Sequence, residues 1–192
     1  MIGRLPTSLT VKGKSYPIRS DYRNILDTFL VFNDTEMSKE EKWFCAVYMI
    51  FEKFTCADDL EAACMEGFDI AEAIEQIIWF INCGKESKES QKKPVYDWEQ
   101  DEQIIFSAVN NVAKTEVRQV EYMHWWTFLS YFNEIGEGLF SYIVGIRRKR
   151  NGDGKLDKSE RKFLAENKDM VEIRPRLSKE EQEFERYIGE LL

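Results

Sequence analysis

The segment that most limits the fold is Tyr122-Met123-His124-Trp125-Trp126-Thr127-Phe128-Leu129, continued by Tyr131 and Phe132. Two of the five tryptophans stand side by side here, next to the one histidine of the chain. Exposed aromatic area of this extent drives association, so the segment has to enter a core or be covered by a partner. Read as a helix over residues 120–135, it divides into two stripes. His124, Thr127, Tyr131 and Glu134 form a polar one. Tyr122, Trp125, Trp126, Leu129 and Phe132 form an apolar one, widened by Met123, Phe128 and Ile135. Tryptophan pairs are commonly buried in cores, and tryptophan and tyrosine also anchor interfaces. Both destinations are open at this point.

The rest of the 192 residues reads as helical, apart from the start. Residues 8–11 and 15–18 have strand character and join through Lys12-Gly13-Lys14 into a hairpin, which needs helices to lean on. A first helix is expected over residues 21–32, with Tyr22, Ile25, Leu26 and Phe29 at helical spacing. A second starts at Ser38, where Glu41 completes a capping box. Trp43, Phe44, Val47, Met49, Ile50 and Phe54 supply its apolar surface. A third covers residues 57–65 and ends at Gly67. Asp69 with Glu72 starts a fourth, lined by Ile70, Ala73, Ile74, Ile77, Ile78 and Ile81 and stopped at Gly84. Asp97 with Gln100 opens another, through Ile104, Ile105, Ala108 and Val112. Residues 139–148 and 157–166 are helical too. Ser178 with Glu181 caps a last one, with Phe184, Tyr187, Ile188 and Leu191 on one face.

The expected fold class is therefore mainly α: a multi-helix bundle with a small N-terminal β-hairpin. Residues 84–94 hold almost nothing apolar. That divides the chain into hairpin plus helices (1–84), a polar linker (85–95), a helical core carrying the paired tryptophans (96–170) and a C-terminal amphipathic helix (171–192). One compact domain is the alternative.

Composition narrows the function. With 43% hydrophobic and 32% charged residues the chain is of a folding type, not a disordered one. A net charge of −8 and a pI of about 4.9 argue against a nucleic-acid partner. No apolar run is long enough for a membrane span, and the first residues lack the apolar stretch of a secretory signal. Cys45, Cys56, Cys64 and Cys83 contain no CxxC spacing. They are expected as reduced, small hydrophobes and not as zinc ligands.

Residues 149–160 look like a calcium loop, with Asp153 at position five, Gly154 as turn glycine, Leu156 as core residue and Glu160 as bidentate ligand. Position one is Lys149, however, a cation that repels calcium. The preferred reading is a glycine turn followed by a helix capped by Asp157 and Glu160. Arg147-Arg148-Lys149-Arg150 is read as a solvated helix end that favours the negative pole of the dipole. His124 has no nucleophile or carboxylate at a catalytic spacing, and no phosphate loop or nucleophile elbow exists. A non-enzyme without cofactor or metal is expected.

Tyr96-Asp97-Trp98-Glu99-Gln100-Asp101, Ile104-Ile105-Phe106-Ser107-Ala108 and Val120-Glu121-Tyr122-Met123-His124-Trp125-Trp126-Thr127-Phe128 together resemble a bacteriophage family labelled gene product fifteen. Its members show a YDxxQD helix start followed by an xYxHWWxF helix. Leu5-Pro6-Thr7, Tyr16-Pro17-Ile18, Asp21-Tyr22-Arg23 and the run from Lys158 to Phe163 match as well. The resemblance spans about residues 4–165. Asn151-Gly152-Asp153-Gly154 and the region after Pro175 read as additions.

It implies a siphovirus or prophage tail-module protein, encoded between the tail tube and tape-measure genes. The role implied is a tail assembly chaperone in the bacterial host cytoplasm. The alternative is a tail completion or connector protein kept in the virion. The expected partner is the tape-measure protein, with the tail tube protein second, and neither nucleic acid nor membrane. Self-association is left open. Candidate partner-binding residues are Trp125, Trp126, Tyr131, Phe128, Tyr122 and Trp98.

Overall fold

A computed structural model describes residues 2–85, 93–179 and 181. The expected helix face of Phe184, Tyr187, Ile188 and Leu191 and most of the polar stretch 84–94 lie outside the described residues. The chain is mainly helical with a two-stranded antiparallel N-terminal hairpin. It forms two compact units, Met1–Glu86 with Pro175–Leu192 and Ser87–Arg174.

In the first unit, β1 (Ser8–Val11) pairs with β2 (Lys14–Pro17), Val11 opposite Lys14 and Ser8 opposite Pro17. Lys12 and Gly13 both take positive φ, 49° and 73°, as a two-residue turn matched to strand twist requires. Leu9 and Val11 point inward, and the hairpin leans on α4 (Ile70–Ile81). α1 (Tyr22–Asn33) starts at Asp21, whose carboxylate accepts the Arg23 N–H at 2.9 Å, and lies against α2 (Lys39–Ile50). The capping box of α2 is complete: Ser38 Oγ accepts from Glu41 N–H at 3.2 Å, and the Glu41 carboxylate accepts from Ser38 N–H at 2.8 Å.

At the other end of α2 the chain leaving the hairpin returns. Arg19 N–H donates to the Ile50 carbonyl at 2.8 Å. The Arg19 guanidinium then donates to the carbonyls of Tyr48, Phe51 and Phe54 at 3.0, 2.9 and 3.1 Å. It satisfies orphan acceptors at the negative pole of the helix.

α3 (Ala57–Met65) ends in a Schellman turn. Gly67 donates to Cys64 at 3.0 Å and Phe68 to Ala63 at 2.8 Å, with Gly67 at φ 91°. α4 ends the same way, with Cys83 left-handed at φ 54° and the expected Gly84 beside it also at positive φ, 75°. Cys83 donates to Phe80 at 3.1 Å and Gly84 to Trp79 at 2.8 Å. Tyr16, Phe51, Phe54 and Phe68 meet largely edge to face at the heart of this unit, with centroids 5.1–6.1 Å apart.

The second unit holds α5 (Glu102–Ala113), a short 3-10 turn (Val117–Gln119), α6 (Trp125–Asn133), α7 (Leu139–Arg148), a wide turn (Lys149–Asp153), α8 (Lys158–Glu166) and α9 (Lys168–Val171). α5 lies against α6 and α7, and α9 against α7 and α8. Ile143, Ile146 and Val171 are fully buried, with Ile104, Leu156, Phe163 and Leu164 against them.

Two helix starts differ from expectation. α5 begins at Glu102, because Asp97 closes a separate turn first: its Oδ1 accepts from Glu99 and Gln100 N–H at 3.0 and 2.9 Å. α6 begins at Trp125 instead of Val120, so Tyr122 and Met123 precede the helix and belong to neither of its stripes.

Candidate functional site

α6 carries Trp125, Phe128 and Phe132 at i, i+3 and i+7, one inward stripe. Trp98, on the turn before α5, meets all three, at centroid distances of 6.1, 6.2 and 4.7 Å. Tyr96 touches Trp98 at 5.4 Å, Phe132 at 5.2 Å and Phe140 at 6.2 Å. Burial pushes the Tyr96 phenol above its ordinary pKa. The two stretches that carry the family resemblance thus meet each other and form the aromatic core of the second unit.

His124 is not part of a helical stripe. It is the N-cap of α6, in extended backbone geometry, and its Nδ1 accepts the Trp126 N–H at 3.0 Å. The ring is 3% exposed and stands edge-on to Trp126. This is a structural task, and it fixes where the helix begins.

The six candidate contact residues separate by exposure. Trp125 and Phe128 are fully buried, so in this fold they have no surface to offer a partner. Trp98, Trp126 and Tyr131 are half-buried. Tyr122 is 53% exposed. The outer side of α6 also carries Ser130, Asn133 and Glu134.

The second unit also buries an ion pair that the basic run concealed. Arg147, read from sequence as solvated, is 5% exposed, and Asp101 is 4% exposed. Arg147 Nη1 and Nη2 donate to the two Asp101 oxygens at 2.5 and 2.9 Å. Nε donates to the Val171 carbonyl at 2.7 Å, Nη2 to that of Met170 at 3.0 Å and Nη1 to that of Val95 at 3.2 Å. All five guanidinium hydrogens are thereby engaged, as a buried arginine needs. One signal was available in the sequence: Arg147 falls seven residues after Phe140 and four after Ile143, on the apolar stripe of α7. Nearby, the Gln100 amide donates to the Arg174 carbonyl at 2.9 Å and accepts its N–H at 2.8 Å.

The other basic residues are partly engaged too. Arg150 pairs with Glu172 at 3.3 Å and Lys149 with Glu160 at 2.5 Å. Glu160 also closes the capping box of α8, accepting the Asp157 N–H at 2.8 Å. Among the described residues no group of three His, Cys, Asp or Glu side chains is placed to hold a metal ion. No helix among them is long and apolar enough to cross a membrane.

No curated protein and no solved structure matches the chain. A family model described as Bacteriophage Gp15 protein matches residues 1–173, the whole of the second unit but its last residue, and the hairpin and helices of the first. The chain belongs to the Bacteriophage Gp15 protein family.

Proposed function

We propose that this phage protein is a non-enzymatic tail assembly chaperone, acting in the host cytoplasm on the tape-measure protein and, second, on the tail tube protein. The observation that carries the reading is the division of labour around α6. Trp125 and Phe128 lock the helix into the core, while Trp126 and Tyr131 stay partly open on α6 and Tyr122 is exposed just before it. A tape-measure chain is a long helix-former with apolar stripes that stay uncovered until the tube surrounds it. Rigid aromatic side chains on a fixed helix suit such a stripe, by contact of a helix with an apolar groove. The net charge of −8 keeps free copies of the protein apart.

Co-expression with the tape-measure protein of the same phage tests this. The tape-measure protein is expected to stay soluble and to co-elute with the chaperone on size exclusion. A Y122A/W126A variant with an unchanged circular dichroism spectrum is expected to lose the complex. A tape-measure protein that is soluble unaided and never associates ends the proposal. Mass spectrometry of purified virions separates it from a completion or connector role: a chaperone is absent from the particle.

A further inference from the structure

The loop between α7 and α8 keeps the ligand order of a twelve-residue calcium loop everywhere except at its first position. Counted from Lys149, Asn151 and Asp153 stand at three and five, Gly154 at six, Leu156 at eight, Asp157 at nine and Glu160 at twelve, between two helices. In a calcium loop the glutamate at twelve reaches back from the second helix and closes on the ion. Here Glu160 reaches back in the same way and closes on the ammonium of Lys149, at 2.5 Å. The lysine stem runs under the turn: a Cβ on Gly154 would sit 3.7 Å from Lys149 Cγ. Asp157, the residue at nine, adds its negative charge to that of Glu160 around the ammonium. Together these hold the lysine pKa above its ordinary value. The Asn151 amide is turned away, onto the Lys93 carbonyl at 3.4 Å.

We propose that Lys149 is a tethered counter-ion: its ammonium does in this chain what a divalent cation does in a calcium loop, holding the start of α8 to the end of α7. The link is therefore built in, and it does not respond to calcium. Its strength is modest, because the lysine side chain is 36% exposed and screened by water while Glu160 is 9% exposed.

Thermal melts and terbium luminescence with calcium competition, on the full chain, test the assignment. The unaltered protein is expected to bind no terbium and to melt at the same temperature with and without calcium. K149M removes the charge, and its melting temperature is expected to fall by about 2–4 °C, the displacement one polar link gives in a chain of this size. K149D restores the missing first ligand and sets a carboxylate beside Glu160. It is expected to melt lowest in chelator, to bind terbium that calcium displaces, and to regain its melting temperature with calcium. If K149D does not fold without metal, K149N supplies the same readings with a neutral oxygen ligand. A K149M protein as stable as the parent, calcium binding by the unaltered chain, or aspartate and asparagine variants that ignore calcium would each overturn the proposal.

Discussion

His124 does at the head of α6 what serine or aspartate does at most helix starts. A ring nitrogen with a free lone pair accepts the Trp126 N–H, one of the donors a first turn leaves without a partner. Histidine is outside the usual set of N-cap residues, so the apolar periodicity ran through it and set the helix start about five residues early. Removing the acceptor with H124A is expected to cost about 1 kcal/mol in urea unfolding at neutral pH. H124N, which keeps a short acceptor, is expected to recover most of it. The cysteines differ just as locally. Burial pushes the Cys83 thiol up to about 11 and raises Cys64 as well, whereas Cys56 is exposed. Since the thiolate is the nucleophile, brief alkylation at pH 8 is expected to mark Cys56 well before Cys83. Peptide mass spectrometry reads the order.

Among the elements, α7 depends most on a partner far away in the sequence. R147M leaves the Asp101 carboxylate and three carbonyls without their donor in a dry site. It is expected to cost about 3–5 kcal/mol of unfolding free energy. Pairing it with D101L, which removes the stranded charge, is expected to cost less than the two single changes added together. The contrast with the caps explains what was legible. Ser38 with Glu41, and Asp157 with Glu160, speak to each other across three residues, and both boxes stand where the sequence put them. The bounds of α3 and α7 also stand where the sequence put them. The partners that escaped lie far off in sequence: Asp101 to Arg147 across 46 residues, Lys12 to Glu72 across 60, Gln100 to Arg174 across 74. At Glu72 the local rule gave way outright. Asp69 caps α4, but the Glu72 carboxylate turns to the hairpin instead of closing a box. The aromatic segment was half legible for a related reason. Its need for cover was plain, but adjacent tryptophans point about 100° apart on a helix, and only the position of the cap decides which goes in.

Over the whole molecule, the carboxylates set the response to acid. Hydrogen bonds from Arg118 and then Asn110 hold Glu116 at about 2 against a usual 4.5, and those from Thr55 hold Asp59 at about 2 against 3.8. Glu41, Asp69, Asp157, Glu160 and Glu181 are lowered as well. Groups depressed on folding bind more protons in the unfolded chain, so their contribution is complete above the unfolded value and fades as pH falls toward the folded one. Stability is therefore expected to decline between about pH 4.5 and 2. E116Q is expected to be less stable at pH 7 and to show a shallower decline in that window, as read by urea midpoints at successive pH values. The hairpin adds a matter of timing. Its turn is fastened by α4, through Lys12 N–H on Glu72 at 3.0 Å and the Lys12 ammonium on Asp69 at 2.8 Å. A two-stranded hairpin by itself is marginal in water. The residue that clasps its turn is polymerised 60 positions later, some 3–12 seconds at about 5–20 residues per second. The hairpin is thus made well before the helix that fastens its turn.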